Sequence, residues 1–388
     1  MKKFLLAVFC ISICVGAFAD NSRIKIQYGP WVTNVSETEF TVLWVTEECS
    51  LCWVEAAPDD GTSFYAVERP VFVETVAGRN IQSRYHSVRI TGLEPGHSYR
   101  YRIFGKNVVD TRNAYAIQYS KAIDCGIEPV VTTFNCKSPS CRFSVVNDIH
   151  AKAGLYSSLL AGKSPSDMDF IVLNGDMVNY SPHRDTVVKY SFQPIVELVR
   201  SVPTVYARGN HESRGNAFAD VPWIFPSPNG QFYYTFREGP AAFVVLDGAE
   251  DKPDNSVEYS GYAHFDEYRA EELEWLKKAV KSPEFASAPV KIAFMHIPPL
   301  KAHDAWYTQA WLAENFLPVL NEAGIDLMLD AHEHSYIYCK AGERDNNFPI
   351  IVNSNKERVD VTVEQSRILV HIYDASGKET HTHTFKLK

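Results

Sequence analysis

Residues of the types that bind metal ions occur in five short clusters along this chain. The clusters are Asp148-Ile149-His150, Gly175-Asp176, Gly209-Asn210-His211-Glu212, His296 and His332-Glu333-His334. Carboxylate, amide and imidazole groups gathered in one crevice can hold two divalent cations. Two cations about 3.5–4 Å apart are a known device for hydrolysing phosphate esters. The clusters therefore predict a dinuclear metal centre with that chemistry.

Each cluster follows an apolar run that is typical of a buried strand. The runs are Phe143–Val146, Phe170–Leu173, Thr204–Tyr206, Lys291–Met295 and Ile325–Leu329. Residues just past the carboxyl ends of parallel strands converge on one crevice, which is where open α/β sheets bind ligands. We therefore expect all five clusters to meet in one place.

Taken singly, most clusters have an ordinary structural interpretation. Asp148 and Asp176 could cap a turn or helix after a strand, and His296 could be a hydrogen-bonded core histidine. The cluster that begins at Gly209 is the most specific, because Asn beside His is unusual after a strand and glycine lets the backbone approach a site closely. The joint occurrence of the clusters, in order and each after a strand, favours a metal centre.

This order of clusters resembles the calcineurin-like metallophosphoesterase superfamily, over roughly residues 143 to 355. The resemblance implies a phosphoric ester hydrolase built on two facing mixed β-sheets with helices outside. It implies that Asp148, His150 and His334 hold one metal ion, that Asn210, His296 and His332 hold a second, and that Asp176 bridges both. We expect each oxygen of that carboxylate to serve one cation. Imidazole and carboxylate ligands together favour zinc, iron or manganese over magnesium or calcium.

The resemblance also implies a role for His211, which lies outside the metal ligands of the family pattern. It would hydrogen-bond the phosphate and protonate the leaving oxygen, after attack by hydroxide bound between the metal ions. Two positions depart from the pattern. Ala331 precedes His332 where the family usually has glycine, and alanine disfavours positive φ. Asn179 stands where purple acid phosphatases have a tyrosine, with Tyr180 one residue too late.

The amino terminus has the pattern of a cleaved signal peptide. Lys2 and Lys3 precede the apolar run Phe4–Phe18, which is too short to span a bilayer and ends in a small-x-small site at Ala19. We expect residues 1–19 to be removed and the protein to be periplasmic or secreted; a membrane anchor is the alternative. No later segment is apolar enough to cross a membrane.

Residues 20–135 are organised differently from residues 136–388. Short alternating segments, such as Glu39–Val45, predict an all-β sandwich without a helix before about residue 150. Leu93–Tyr101 resembles the fibronectin type III tyrosine corner, with Trp44 as the core tryptophan. We therefore expect a fibronectin type III-like sandwich of unknown partner at 20–135 and a four-layer metallophosphoesterase domain at 136–388.

Helical and strand patterns alternate in the second part of the chain. Helices are predicted at Ala153–Ala161, Thr186–Arg200, Glu267–Lys281 and Gln309–Ala323. Strands are predicted at Pro349–Val352, Val359–Val363, Ile368–Ile372 and His381–Lys386, and we expect these late strands to complete the second sheet.

The charge and the cysteines narrow the classes of partner and of environment. Loss of two lysines with the signal peptide changes the formal net charge from −9 to −11. This acidic balance argues against nucleic acid as the main partner, whereas two metal ions would still attract a small phosphate ester. Six cysteines remain, and their pairing is open. Cys49 and Cys52 could form a local disulfide or be two buried thiols, and Cys136 and Cys141 could be bridged.

Substrate contacts are the least specific part of the prediction. Trp223 and Tyr262 could stack on a base, sugar or aromatic leaving group, although packing is the ordinary interpretation. His303 could reach the phosphate or cap a surface helix. We favour a phosphomonoesterase, with a phosphodiesterase or nucleotide pyrophosphohydrolase as the alternative. A catalytically silent exported module that binds glycans or proteins is the alternative from another class, but the complete set of seven ligands favours an enzyme.

Overall fold

A computed structural model describes residues 24–300 and 306–387, so the predicted signal peptide and His303 lie outside the described residues. Strands alone make up the regular structure of the first part. They are β1 (Ile26–Thr33), β2 (Glu39–Pro58), β3 (Val71–Phe72), β4 (Thr75–Val76), β5 (Arg79–Asn80), β6 (Gln82–Thr91), β7 (Ser98–Asp110), β8 (Gln118–Tyr119), β9 (Ile123–Asp124) and β10 (Val130–Thr132). The β-rich character predicted for this region is confirmed.

The long strand β2 organises the amino-terminal region. Its first half pairs with β1 and β6, and its second half pairs with β7 and β3, with a register shift between Val45 and Ser50. The side chain of Trp44 is fully buried. The hydroxyl oxygen of Tyr99 accepts a hydrogen bond from the backbone N–H of Glu94 at 2.9 Å, the contact that a tyrosine corner makes. The assignment to the fibronectin type III fold stays a prediction.

Strands and helices alternate after residue 139, as the sequence patterns predict. The elements are β11 (Ser140–Val146), α1 (Ala153–Leu159), β12 (Phe170–Asn174), α2 (Arg184–Phe192), α3 (Val196–Val199), β13 (Thr204–Ala207), α4 (Val221–Ile224), β14 (Tyr234–Glu238), β15 (Ala241–Val245), α5 (Phe265–Ala279), α6 (Pro283–Ala286), β16 (Val290–Phe294), α7 (Tyr307–Ala323), β17 (Leu327–Asp330), β18 (Ile337–Cys339), β19 (Ile350–Val352), β20 (Glu357–Glu364), β21 (Arg367–Asp374) and β22 (Glu379–Lys386). None of the described helices is long and apolar enough to cross a membrane.

Two mixed sheets face each other across an aromatic core. The first runs in the order β10-β7-β2-β1-β13-β12-β11-β20-β21-β22, and the second in the order β14-β15-β16-β17-β19-β18. Phe143 of the first sheet contacts Phe243 and Phe294 of the second edge to face, with ring centroids 5.6 and 5.5 Å apart. Helices α1 to α4 contribute to a core on the other side of the first sheet, and α5 to α7 to a core on the other side of the second. The predicted facing mixed sheets flanked by helices are confirmed.

The amino-terminal region contacts the following part of the chain through strand pairing, a hydrogen bond and ring packing. Strand β1 pairs with β13 in parallel, with Thr33 opposite Thr204. The Tyr101 hydroxyl donates to the carbonyl oxygen of Arg200 at 2.9 Å, and the ring of Trp31 stacks on Phe192 at 4.4 Å. The predicted boundary at 135/136 falls between β10 and β11, and the division into two domains stays a prediction.

The predicted placement of the late strands is wrong for three of the four. Only β19 joins the second sheet, whereas β20 pairs with β11 and extends the first sheet through β21 and β22. The alternating buried residues Val359, Val361 and Val363 pack in the core between the sheets. The second sheet is closed beyond β19 by the short strand β18. Alternation in the sequence shows that a strand is half buried, but it does not show which edge the strand joins.

The two cysteine pairs that could be bridged according to the sequence are not bridged in the structure. All six cysteines of the described residues are free thiols. Cys49 and Cys52 are three residues apart on β2 and are not bridged. One of them is exposed and the other buried, which also excludes two buried thiols. Cys141 is buried on β11, while Cys136 precedes that strand and its N–H donates to the Glu37 carboxylate at 3.1 Å.

Candidate metal centre

All five clusters lie just past the carboxyl ends of strands that meet at one rim of the two sheets. The first three follow β11, β12 and β13 of the first sheet, and the last two follow β16 and β17 of the second. Because these strands are parallel within each sheet, their ends lie side by side. The structure thus brings together residues that are separated by almost 190 positions in the sequence.

The candidate ligands form two groups of side chains. In the first group, Nε2 of His334 lies 3.0 Å from Nε2 of His150 and 3.1 Å from Oδ1 of Asp148. The second group consists of Asp176, His296 and His332, and Nε2 of His296 lies 3.4 Å from Oδ2 of Asp176. Within each group the ligand atoms lie within 4.8 Å of one another. These are the partitions that the family resemblance implies, and the assignment of ligands to particular ions stays a prediction.

Asp176 connects the two groups through one of its oxygens. Oδ2 lies 3.4 Å from Nε2 of His296 in the second group and 3.8 Å from Nε2 of His150 in the first. Oδ1 instead accepts the backbone N–H of His211 at 2.9 Å. The expectation that each oxygen would serve one cation does not fit these contacts, because a single oxygen faces both groups.

The residues fit divalent metal ions. Asn210 is 1% exposed and His296 is fully buried, and neither the Asn210 Oδ1 atom nor the His296 Nε2 atom has a hydrogen-bond partner. Buried polar atoms are almost always hydrogen-bonded, so such atoms call for an explanation. Nε2 of His150 and Nε2 of His334 lie 3.0 Å apart, so both could face one ion in place of the hydrogen bond between them. Nitrogen and oxygen donors of this kind suit zinc, iron or manganese, while the identity of the metal is a separate question.

Backbone strain is concentrated on the candidate ligands. Positive φ angles occur at Asp148 (49°), His150 (49°), Asp176 (55°), His332 (72°) and His334 (54°). Each such residue costs on the order of 1–3 kcal/mol and persists only where the surroundings enforce it, typically at functional sites. Ala331 is not among the positive-φ residues. The strain falls on His332 instead, so alanine at the family's glycine position fits the loop.

Two glycines are required by the close approach of the loops. A Cβ atom at Gly175 would lie 2.4 Å from Nδ1 of His296, and a Cβ atom at Gly209 would lie 2.2 Å from Oδ1 of Asp176. Contacts below 3.0 Å are essentially never seen for real Cβ atoms. The prediction that Gly209 lets the backbone approach the site agrees with this geometry.

Glu212 is a residue of the site to which the sequence patterns give no role. Its fully buried carboxylate accepts backbone N–H groups of Asp176 at 3.0 Å, Met177 at 2.7 Å and Gly209 at 3.0 Å. Burial, and then the nearby Asp176 carboxylate, raise the pKa of Glu212 to about 7. The side chain ties the loop after β12 to the loop after β13. The sequence signal that could have indicated this role is the position of Glu212 directly after the candidate site residues Asn210 and His211.

Electrostatics couples the buried ligands to each other. Burial disfavours the charged ring of His296, but the carboxylates of Asp176 and Asp148 outweigh burial and raise its pKa to about 10. Burial lowers the pKa of His332 to about 4. The pair of carboxylates therefore favours a positive charge in the position where the second group converges, and a divalent cation meets that requirement.

His211 lies on the more open side of the centre. Its Nδ1 is 2.7 Å from the carbonyl oxygen of Asn179, and its Nε2 is 3.2 Å from Nη1 of Arg214 and 3.7 Å from Oδ2 of Asp176. These partners assign the ring hydrogen to Nδ1, which donates to Asn179, while Nε2 accepts from Arg214. His211, His150 and Asp176 also lie close enough together to hold a metal ion. However, Nε2 of His211, the nitrogen that would bind such an ion, is in contact with Arg214.

Asn179 has a structural task at the position of the purple acid phosphatase tyrosine. Its Nδ2 donates to the carbonyl oxygen of His150 at 3.3 Å, in addition to the contact with His211. The side chain of Tyr180 is 57% exposed. The absence of a tyrosine ligand from this centre stays a prediction.

The other predicted substrate contacts among the described residues are Trp223 and Tyr262. Trp223 packs edge to face on Trp31 and Tyr85 of the amino-terminal region, with centroids 6.0 and 5.5 Å apart. Its ring is therefore used in packing, which was the ordinary interpretation. Tyr262 is 86% exposed, in the segment before α5, and its contact with substrate stays a prediction.

A charged cluster borders the site and was missed in the sequence. It consists of Arg214, Glu250, Asp251 and Lys252, and Oδ2 of Asp251 lies 4.0 Å from Nε2 of His332. The acidic pair follows β15, a strand that carries none of the five clusters. No spacing rule connects it to the ligands, so only the fold shows that it belongs to the rim.

Similarity to known proteins agrees with this site. The curated relatives include purple acid phosphatase 15 of Arabidopsis thaliana, which is 26% identical over 290 residues, 65% of this chain and 48% of the relative. Human serine/threonine-protein phosphatase CPPED1 is 24% identical over 198 residues, 48% of this chain and 58% of the relative. The chain therefore matches about half the length of these curated relatives.

A solved structure and a family model extend the comparison. The purple acid phosphatase PPD1 from seeds of yellow lupin (Lupinus luteus) superimposes with a TM-score of 0.62 at 15% identity, over 92% of this chain and 74% of that chain. This likeness shows a shared fold. The model of the calcineurin-like phosphoesterase family matches residues 141–336, about half of the chain and the part that carries all seven candidate ligands. The protein belongs to the calcineurin-like phosphoesterase family.

Proposed function

We propose that this protein is an exported phosphoric ester hydrolase that depends on two divalent metal ions and acts mainly on phosphate monoesters. The observation that carries the proposal is the position of Asp176 Oδ2, which lies between two groups of ligand side chains at 3.4 and 3.8 Å. A single carboxylate oxygen shared by two ligand groups suits a dinuclear centre. The matching family model supports a reaction of this class.

The ligand side chains would hold the two ions in the groups already described, with Asn210 added to the second. When bound, such ions supply a deprotonated water at neutral pH and neutralise phosphoryl charge. The contribution of the protein is to fix the ligands. Asp148 illustrates this, because its Oδ2 accepts from Asn147 Nδ2 at 2.8 Å and from the backbone N–H of His332 at 3.1 Å. Oδ1 of Asp148 has no hydrogen-bond partner and would bind the metal ion.

His211 would complete the reaction as proton donor to the leaving oxygen. Its Nδ1 is fixed by the carbonyl oxygen of Asn179, so Nε2 is the atom that faces the centre. To act as an acid the ring must carry a proton on Nε2, so the hydrogen bond that Nε2 accepts from Arg214 must first be given up.

Two other functions are alternatives to a phosphomonoesterase. A phosphodiesterase or nucleotide pyrophosphohydrolase would use the same ligands with a different leaving group. A silent exported module that binds glycans or proteins would have no need of strained ligands, and strain at Asp148, Asp176 and His332 is costly to keep without a function. Export itself is supported by the pattern of residues 1–19, and mass spectrometry of the mature chain should give Asp20 as its first residue.

A substrate panel tests the proposal. Phosphate monoesters, diesters and pyrophosphate esters should be assayed with manganese, zinc, iron and no added metal after chelation. We expect hydrolysis only with metal, about two metal equivalents in active protein, and the largest kcat/KM for monoesters. Full activity of metal-free protein, or no hydrolysis of any ester with any metal, would contradict the proposal. A preference for diesters would support the first alternative.

A further inference from the structure

Arg214 lies on the solvent side of the candidate metal centre. Its Nη1 is 3.2 Å from Nε2 of His211, and that ring nitrogen is 3.7 Å from Oδ2 of Asp176. The side chains of Asp176 and His296 are at most 2% exposed, whereas those of His211 and Arg214 are 26% and 23% exposed. Arg214 and His211 are therefore accessible to a ligand that arrives from solvent, whereas Asp176 and His296 are not.

The guanidinium is held in one orientation by a buried carboxylate. Glu250 is fully buried and accepts from Nε of Arg214 at 3.2 Å and from Nη2 at 2.9 Å, a two-point contact. The Glu250 carboxylate is itself fixed by the Tyr259 hydroxyl and by the backbone N–H of Asp251. Bidentate pairs of this kind add geometric definition as well as attraction. The planar guanidinium of Arg214 is therefore already oriented before a ligand binds. A lysine could not replace it, because an ammonium group cannot make the same two-point contact.

The contacts of Arg214 leave one donor for a ligand. A guanidinium has five N–H donors. Glu250 takes two of them, Asp251 takes the second hydrogen of Nη2 at 3.4 Å, and His211 takes one hydrogen of Nη1. Among the residues that the structure describes, the other Nη1–H has no acceptor. It belongs to the nitrogen that contacts His211.

We propose that Arg214, held by Glu250, binds a phosphoryl oxygen of the substrate and makes the site selective for phosphate monoesters over diesters. The inference rests on the proposed function and assigns its substrate class to a residue. A monoester dianion has three non-bridging oxygens, so one remains for a fixed cation when the other two face the metal centre. A diester has two such oxygens and a single charge, and it gains little from a third positive partner.

The test compares two esters that share a leaving group. Manganese-loaded wild type, Arg214→Gln and Arg214→Lys are assayed with p-nitrophenyl phosphate and with bis(p-nitrophenyl) phosphate, and Arg367→Gln on β21 is the control for loss of a surface charge. We expect Arg214→Gln to lower kcat/KM for the monoester about 10²–10³-fold and for the diester less than about fivefold. Inhibition by inorganic phosphate should weaken about tenfold or more, with metal content unchanged. Arg214→Lys should recover little of the loss.

Equal losses on both esters, or unchanged inhibition by phosphate, would overturn the inference. Loss of arginine leaves Glu250 buried without its partner, which can destabilise the fold. The double variant Arg214→Gln/Glu250→Gln removes both charges, so no unpaired carboxylate stays buried. The same two esters are assayed with this variant. If wild type hydrolyses neither ester, the proposed function fails, and calorimetric titration with inorganic phosphate decides the separate matter of Arg214. Weaker binding by Arg214→Gln then supports the contact, and equal binding refutes it.

Discussion

The two halves of the candidate metal centre differ in how firmly their side chains are held. In the second group, the His296 ring is fully buried and its Nδ1 donates to the carbonyl oxygen of Asn174 at 2.8 Å, which fixes the ring before any ion binds. In the first group, the side chain of His334 is 48% exposed. A ligand that is oriented in advance loses less freedom on binding. The two positions should therefore bind metal with unequal affinity.

The largest effect is expected at the residue that both groups share. Asp176→Ala removes an oxygen that lies close to both groups and should abolish binding of at least one ion, so hydrolysis should fall by about 10⁴-fold or more. Elemental analysis together with a rate assay measures both effects. Asp185→Ala on α2 is a matched control, because it removes a carboxylate that is paired with Arg84 instead. Two retained metal equivalents in Asp176→Ala would show that the groups are independent.

His211 separates chemistry from metal binding. His211→Asn should keep the metal content near wild type and cost roughly 10²–10⁴-fold with alkyl phosphate esters, whose strongly basic leaving oxygen needs a proton. The loss should be much smaller with nitrophenyl esters, which leave as weak bases. Parallel measurement of both ester classes and of metal content decides the matter. Loss of metal, or an equal loss on both classes, would remove His211 from the catalytic residues and favour its place in the trio with His150 and Asp176.

The sequence was a good guide to the centre because the ligands are tied to strand ends. Each cluster is local, and the burial of its preceding strand is visible as an apolar run, so convergence of Asp148 and His332 could be predicted without a structure. The contribution of Glu250 could not, since its contact with Arg214 depends on how the segment after β15 crosses the rim. The placement of the late strands was predicted wrongly for a related reason. Alternating residues such as Val359 and Val361 are equally suited to either sheet edge, and only tertiary packing decides.

The third prediction tests the unequal affinities directly. His296→Ala should remove the more tightly held metal equivalent, whereas His334→Ala should keep it and weaken only the second equivalent. The loss of one ordered ligand should change the affinity by at least about 10–100-fold. Competition with a chelator, followed by metal analysis, gives both dissociation constants for each variant. The two variants serve as controls for each other. Equal constants in wild type, or the same equivalent lost in both variants, would contradict the comparison.

The smallest effect is an expected absence of colour, and it concerns the first group. Purple acid phosphatases place a tyrosine three residues after the bridging aspartate, and here Asn179 is bonded to the carbonyl oxygen of His150 while Tyr180 is 57% exposed. Iron-loaded protein should therefore have no tyrosinate-to-iron charge-transfer band, because Asn179 and not a tyrosine stands three residues after Asp176. The visible spectrum of the iron form and of Tyr180→Phe should be the same. A band that is present in wild type and lost in Tyr180→Phe would show that Tyr180 is an oxygen ligand of the centre.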